Sequence, residues 1–202
     1  MVVYKLTYFN IMGRAELTRV MFAQAGVEYE DVRLTFEEWG KLKPSSVFGQ
    51  LPMLEIDGVQ YCQTPAINSY LSKKFGFSGK TEEERMRVEM IGFCIHDMAM
   101  KIPHMEKDEK KKKEGFERAF KEDVPPLLQK LEAILKQNKN GDGYFVDELS
   151  SADMAWMLMA DYFEIKCPDL LKAVPKLAAL AKKVAEEPKI IAHKKFRPNT
   201  EV

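Results

Sequence analysis

The spacing of apolar and polar positions in the first third of the chain predicts alternating strands and helices. Strict alternation of β-forming residues predicts strands, and apolar residues three and four apart predict helices. The order is strand, helix, strand, irregular connection, strand, strand, helix, over residues 4–9, 15–25, 29–34, 52–56, 59–62 and 66–75. Gly26 is a natural helix end, and Asp57-Gly58 between two β-rich runs is a strong hairpin signal.

The pattern changes around Gly76-Phe77-Ser78-Gly79, and from Thr81 onward only helical spacing is found. The predicted helices cover residues 82–108, 110–136 with a kink at Pro125-Pro126, 150–163, 175–186 and 188–194. We therefore predict two domains. Residues 1–79 form an α/β unit that fits a thioredoxin-like domain, and residues 80–202 form an all-helical bundle.

Composition and charge exclude several classes of protein. The 202 residues are 46% apolar and 10% aromatic, which argues against disorder. Lys plus Arg and Asp plus Glu both number 31, so the chain has no excess charge that would attract nucleic acid or an anionic membrane. No apolar run approaches the ~20 residues that span a bilayer. The first residues do not resemble a signal peptide, and we expect a cytoplasmic protein.

Other features with possible chemistry are better explained as ordinary structure. The three cysteines, Cys62, Cys94 and Cys167, are far apart and odd in number, which favours reduced thiols over a disulfide framework or a zinc site. The three histidines share no metal-ligand spacing, so we predict no metal site. The lysine-rich stretch at 107–121 is interleaved with acidic residues and indicates a solvated helix face.

Short motifs along the whole chain resemble the cytosolic glutathione S-transferases, most closely those of the sigma class. They occur in the family's order and spacing: Tyr8-Phe9-x-x-x-Gly13-Arg14-Ala15-Glu16, Trp39, Lys43-Pro44, Phe48-Gly49-Gln50-Leu51-Pro52-Met53, Gln63-Thr64, Ala152-Asp153 and residues 194–198. From position alone, Tyr8 is better explained as an edge-strand aromatic, whereas core packing of Trp39 and solvation of Lys43 stand level with a binding role. The resemblance favours the functional interpretation of all three.

The resemblance implies a glutathione-dependent transferase with Tyr8 as the group that donates a hydrogen bond to the glutathione sulfur and Arg14 as its support. It implies that the tripeptide is held by Trp39, Lys43, Gln50, Leu51, a cis Pro52, Gln63, Thr64 and, from the partner subunit of a homodimer, Asp97. Glutathione would be a co-substrate, with no tightly bound cofactor. Small hydrophobic electrophiles would be the second substrate, in an apolar pocket between the domains that includes Phe9, Met12, Met100 and His104.

The chain also departs from the family pattern. Thr64 stands where Ser is usual, and Asn68-Ser69 replaces Ala-Arg, so a supporting salt bridge is expected to be missing. Sigma enzymes that convert prostaglandin H to prostaglandin D carry acids at the positions of Phe93 and His96, and an aromatic near that of His104. Conjugation of glutathione is therefore the main hypothesis. The alternatives are the prostaglandin isomerase, a lens S-crystallin-like structural protein and a ligand carrier without turnover.

Overall fold

The structure is a computed structural model that describes residues 2–197 and residue 200. It divides into two compact units, one containing the chain up to Phe75 together with the part from Glu186 onward, the other Gly76–Ala185. This division differs from the predicted one at the chain's end. The last helix, Pro188–Lys194, packs against the first helix of the α/β unit instead of belonging to the helical unit.

A four-stranded mixed sheet organises the first unit. Its strands are β1 (Tyr4–Phe9), β2 (Glu30–Leu34), β3 (Met53–Ile56) and β4 (Val59–Cys62), in the spatial order β2-β1-β3-β4. Its helices are α1 (Glu16–Ala25), α2 (Phe36–Leu42) and α3 (Thr64–Lys74). β1 and β2 are parallel, which requires a crossover, and α1 supplies it. β3 is antiparallel to both β1 and β4.

The hairpin predicted at Asp57-Gly58 is present between β3 and β4. Both residues have positive φ, 50° and 85°, as the tight turn of a two-residue hairpin loop requires. The core beneath the sheet is formed by β1 and the buried face of α1. Leu6 and Phe22 are fully buried, and the ring of Tyr4 meets that of Phe22 edge-on at 5.2 Å. Burying each such side chain contributes about 1.5–3 kcal/mol.

The second unit is entirely helical in the described residues. Its helices are α4 (Glu82–Met100), α5 (Glu109–Arg118), α6 (Val124–Lys136), α7 (Ser151–Lys166), α8 (Asp169–Lys172) and α9 (Pro175–Ala185); the last helix of the chain is α10 (Pro188–Lys194). The centre of the unit is α7, which packs against α4 and α9. Trp156 on α7 is fully buried, and its indole N–H donates to the carbonyl of Leu177 at 2.7 Å.

Several boundaries differ from the predicted ones. The first long helix ends at Met100, because Pro103 restricts the backbone that precedes it. The predicted helix 110–136 contains a π-helical segment, Ala119–Asp123, directly before Pro125-Pro126, whose missing N–H groups interrupt the regular ladder. α2 and α8 were not predicted. Across the described residues, no helix has both the length and the apolar content that crossing a membrane demands.

Candidate active site

Tyr8 lies near the end of β1, with only 7% of its surface exposed. Its hydroxyl oxygen accepts a hydrogen bond from the backbone N–H of Arg14 at 3.2 Å. Since the oxygen is the acceptor in this contact, the hydroxyl proton is available for donation to a ligand. The arrangement suits a group that stabilises a nearby anion.

Gly13 makes the approach of Tyr8 to Arg14 sterically possible. Its φ is +40°, and a Cβ atom at this position would lie 2.8 Å from the Tyr8 hydroxyl oxygen. Any larger residue would therefore have to displace the phenol. Arg14 follows in a short 3-10 helix, Gly13–Ala15, that leads into α1, and its side chain is exposed. The direct contact of Arg14 with the Tyr8 hydroxyl is made by its main chain.

Sequence reasoning missed Arg19, which is fully buried on α1. Its guanidinium forms ion pairs with Glu16 at 3.3 Å and Asp31 at 3.2 Å. It also donates to three main-chain carbonyls in the segment after Tyr8, those of Phe9 at 3.5 Å, Ile11 at 2.8 Å and Met12 at 3.4 Å. The available signal was a charged pair with i,i+3 spacing in the predicted apolar face of a helix. The three carbonyls that accept hydrogen bonds from Arg19 belong to residues 9–12, a segment that we call loop 9–12.

The predicted tripeptide-binding side chains include two that contact each other. Gln63 Nε2 donates to Gln50 Oε1 at 2.7 Å, and both residues are exposed. Gln63 has a φ of +75° and precedes α3 as its N-cap. The Leu51-Pro52 peptide bond is cis, as the family resemblance implies. The side-chain amides of Gln50 and Gln63 therefore lie next to each other, although β3 and β4 separate these residues along the chain.

The remaining candidates of the first unit have identifiable places. Trp39 is half-buried on α2, and Lys43 is exposed at the end of that helix, with its aliphatic chain beside Gly49. Thr64 is the first residue of α3, where backbone N–H groups without helical partners favour an anion. The ring of Phe9 packs on Phe36 at 4.7 Å. The N–H of Met12 donates to Thr200 Oγ1 at 3.3 Å.

The other three candidates belong to the second unit. Asp97 is exposed on α4, and Met100, half exposed, is the last residue of that helix. His104 is half-buried, with ring centroids 5.1 Å from Tyr162 and 5.9 Å from Phe116. Burial, with smaller contributions from the charges of two lysines, lowers the pKa of His104. A neutral imidazole among aromatic rings suits an apolar environment.

The departure at Asn68 has a structural counterpart. Its Oδ1 accepts a hydrogen bond from the hydroxyl of Thr18 on α1 at 2.8 Å. A hydrogen bond between two uncharged side chains therefore joins α1 and α3 at this position.

The fold and these side chains define a thioredoxin-like domain followed by an all-helical domain, as the sequence predicted. The N-terminal domain model of the glutathione S-transferases matches residues 4–73, and a C-terminal domain model of the same family matches residues 96–197. The chain belongs to the glutathione S-transferase family. The family assignment made from the motifs is confirmed.

Three of the similar proteins are a synthase, a crystallin and a transferase. Hematopoietic prostaglandin D synthase of Gallus gallus is 38% identical over 98% of each chain, and S-crystallin SL11 of Nototodarus sloanii is 38% identical over 98% of each. The solved structure of a Nu-class glutathione S-transferase from Haemonchus contortus is 39% identical, covers 100% of both chains and superimposes with a TM-score of 0.85. Because the three identities are nearly equal, identity alone does not favour one of these three kinds of protein.

Proposed function

We propose that this protein conjugates the thiolate of glutathione to small apolar electrophiles, with Tyr8 as the group that stabilises the thiolate. The observation that carries the proposal is the 3.2 Å hydrogen bond from the Arg14 backbone to the Tyr8 hydroxyl oxygen. It fixes the phenol and directs its proton away from Arg14, toward a ligand. The same bond polarises the hydroxyl and makes it a stronger donor.

The size of the required effect is modest. A thiol with a pKa of about 8.5 is only about 3% thiolate at pH 7. Lowering that pKa by about two units requires ~2.7 kcal/mol of preferential stabilisation of the anion. A hydrogen bond to a charged acceptor contributes about 1.5–3 kcal/mol, so one phenol can supply most of this.

Glutathione is proposed to lie along the segment from Gln50 to Thr64. The γ-glutamyl carboxylate would contact Gln63 and the N-terminus of α3 at Thr64, and the cysteinyl part would pair with the backbone of Leu51 beside Pro52. The glycyl end would contact the indole N–H of Trp39, the ammonium of Lys43 and the amide of Gln50. Gln50 and Gln63 are hydrogen-bonded to each other at 2.7 Å, so both amides border one site, and holding opposite ends of the tripeptide would require this bond to open.

We also propose a cytoplasmic sigma-class homodimer in which Asp97 contacts glutathione bound to the partner. Apolar residues exposed along α4 recur at helical spacing and form a stripe: Met86 at 73%, Met90 at 50%, Phe93 at 47% and Met100 at 51% exposure. Asp97 lies four residues after Phe93 and three residues before Met100, so it falls on the line of the stripe, and it is exposed. A second copy of the chain would cover such a face and bring Asp97 close to its neighbour.

The contacts of the second substrate remain predictions. In the first unit, we expect Phe9 and Met12 to contact it, because loop 9–12 follows directly after Tyr8. In the second unit, we expect Met100 and His104 to do so. The flexible thioether of methionine and the neutral ring of His104 would both accept varied apolar compounds.

The alternative activity is isomerisation of prostaglandin H, because one of the similar proteins is a hematopoietic prostaglandin D synthase. The deciding experiment measures retention on glutathione resin, conjugation of chlorodinitrobenzene and isomerisation of prostaglandin H on one preparation. Retention with conjugation is the expected result. Retention with isomerisation alone would favour the synthase, retention without either activity would favour a carrier, and failure of all three would favour a structural role like that of the S-crystallins.

A further inference from the structure

We propose that His193, on α10, is a positioning residue that acts through two buried charges to hold the Tyr8 hydroxyl in place. This inference rests on the proposed function, because its effect is on the thiolate that Tyr8 stabilises. His193 is 177 residues from Glu16 along the chain, yet its Nε2 atom lies 2.8 Å from Glu16 Oε1. Both side chains are nearly buried, with exposures of 11% and 3%.

The chemistry of this contact fixes the role of His193. A carboxylate oxygen only accepts, so the Nε2 atom of His193 must carry the hydrogen. Burial by itself would raise the pKa of Glu16, but the hydrogen bond and charge of His193, together with Arg19, outweigh burial and lower it. Glu16 is therefore a buried carboxylate whose ionised form depends on His193 and Arg19.

The second oxygen of Glu16 continues the connection toward loop 9–12. Glu16 Oε2 accepts from Nη1 of Arg19 at 3.3 Å. The same Nη1 atom donates to the carbonyls of Ile11 and Met12, and Nη2 to that of Phe9. The other charges around Arg19 come from β2, where Asp31 pairs with Arg19 at 3.2 Å and with Arg33 at 2.7 Å. Lys189 of α10 faces elsewhere, with its ammonium 3.0 Å from the carbonyl of Gln24.

Loop 9–12 joins Tyr8 to Gly13 and Arg14, the two residues that fix the Tyr8 hydroxyl. Removing His193 would leave Glu16 Oε1 buried without that donor. Glu16 would then turn toward Arg19 or toward water, and the guanidinium would lose its fixed position under the three loop carbonyls. The Arg14 N–H would no longer be held at hydrogen-bond distance from Tyr8.

The test compares three variants of the full-length protein. His193→Leu removes the donor, whereas His193→Gln keeps an N–H donor close to the position of Nε2. Ile191→Ala is the control, because Ile191 is 43% exposed on the same helix. The measurements are the pKa of the bound glutathione thiol, from thiolate ultraviolet absorbance, and the pH profiles of kcat and KM.

For His193→Leu, we expect a rise of about half a unit in the bound thiol pKa, which corresponds to about threefold lower turnover near pH 5.5, where the thiolate is the minor form, and about 1.5-fold lower turnover at pH 7. Turnover should recover at high pH, and KM for glutathione should stay within about twofold. His193→Gln and Ile191→Ala should resemble the wild type. If His193→Leu does not fold, His193→Asn, whose amide is too short to reach Glu16, replaces it.

Two results would overturn the proposal. One is a pKa of the bound glutathione thiol in His193→Leu that equals the pKa in the wild type. The other is an equal loss of turnover at every pH, which would indicate a purely structural role. Amide hydrogen exchange gives a readout independent of catalysis, since exchange across residues 11–14 should accelerate in His193→Leu and not in His193→Gln. If the wild type neither binds nor conjugates glutathione, the proposed function fails, and unchanged exchange would still reject the positioning role.

Discussion

At the scale of single residues, the Tyr8 hydroxyl allows glutathione binding to be separated from thiolate formation. Tyr8→Phe keeps the buried ring and its edge-on packing against Phe9 at 5.6 Å, and removes the donor alone. We expect kcat at pH 7 to fall at least about tenfold, or ~1.4 kcal/mol in the barrier, with glutathione affinity within about threefold. Conjugation kinetics from pH 6 to 9 check this. Unchanged turnover at every pH would show that another group activates the thiol.

Gly13 gives a second prediction at this scale. Gly13→Ala places a methyl group 2.8 Å from the Tyr8 hydroxyl oxygen, at a φ of +40° that alanine rarely adopts. We expect at least about tenfold lower turnover at pH 7 and a raised pKa of the bound thiol, measured by thiolate absorbance. Gly40→Ala is the matched control, since no heavy atom lies within 4 Å of its added Cβ apart from its chain neighbours and the backbone of its own helix. A Gly13→Ala enzyme with normal thiol ionisation would contradict the proposed geometry.

These residues show what the sequence could and could not predict. The motif placed Tyr8 and Arg14 together, but the resemblance did not indicate that Arg14 contacts Tyr8 through its backbone, because that depends on the local turn at Gly13. Arg19 was missed because helical periodicity is recognised from hydrophobic positions. It gives no indication that a charged residue is buried in an ion pair. The contact of His193 with Glu16 spans 177 positions, and local spacing carries no information about it.

At the scale of secondary structure, the start of α7 depends on one buried carboxylate. Asp153 is fully buried and accepts hydrogen bonds from the N–H and hydroxyl of Ser150, at 2.8 and 2.6 Å, and from the N–H of Phe145 at 2.9 Å. In Asp153→Asn, an amide NH₂ would replace one accepting oxygen and face a donor. We expect the variant to lose about 1–3 kcal/mol of unfolding free energy at pH 7, measured by chemical denaturation.

The pH dependence of this loss has a defined sign. Burial raises the pKa of Asp153 from 3.8 to about 6, against the opposing effect of its hydrogen bonds. The folded state therefore binds the proton more tightly, so the stability associated with this group falls as pH rises from about 4 to 6. Two pKa units correspond to about 3 kcal/mol at most. The stability gap between wild type and Asp153→Asn should narrow across this range, and an equal gap at every pH would contradict the raised pKa.

The predicted elements were correct where one periodicity ran uninterrupted. The four strands, α1 and α7 follow the pattern closely. α2 was read as an irregular connection because its seven residues contribute no buried side chain, although Thr35 and Glu38 form a capping box at its start. The helix predicted over 110–136 with a kink at Pro125-Pro126 is interrupted by the π-helical segment Ala119–Asp123, just before the two prolines that lack backbone N–H groups. The periodicity of apolar residues did not indicate that segment.

At the scale of the whole molecule, the exposed stripe on α4 concerns the assembled state. Met90 lies in the middle of the stripe and is half exposed, so Met90→Glu would place a charge where a partner chain is expected to pack. We expect the wild type to be a dimer and Met90→Glu to be a monomer, measured by analytical ultracentrifugation. Met105→Glu is the matched control, because Met105 is 87% exposed and lies beyond the end of α4.

The same pair of variants tests whether assembly and glutathione binding are linked. If Asp97 contacts glutathione bound to the partner, the monomeric Met90→Glu variant should show a KM for glutathione raised severalfold. Asp97→Asn should raise KM similarly without changing the mass, because it removes the contact and leaves the interface. If Asp97→Asn remains a dimer and its KM for glutathione is unchanged, the interface on α4 is retained, but the contact of Asp97 with glutathione bound to the partner is rejected. A wild-type monomer with normal turnover would reject both, and the site would then be complete within one chain.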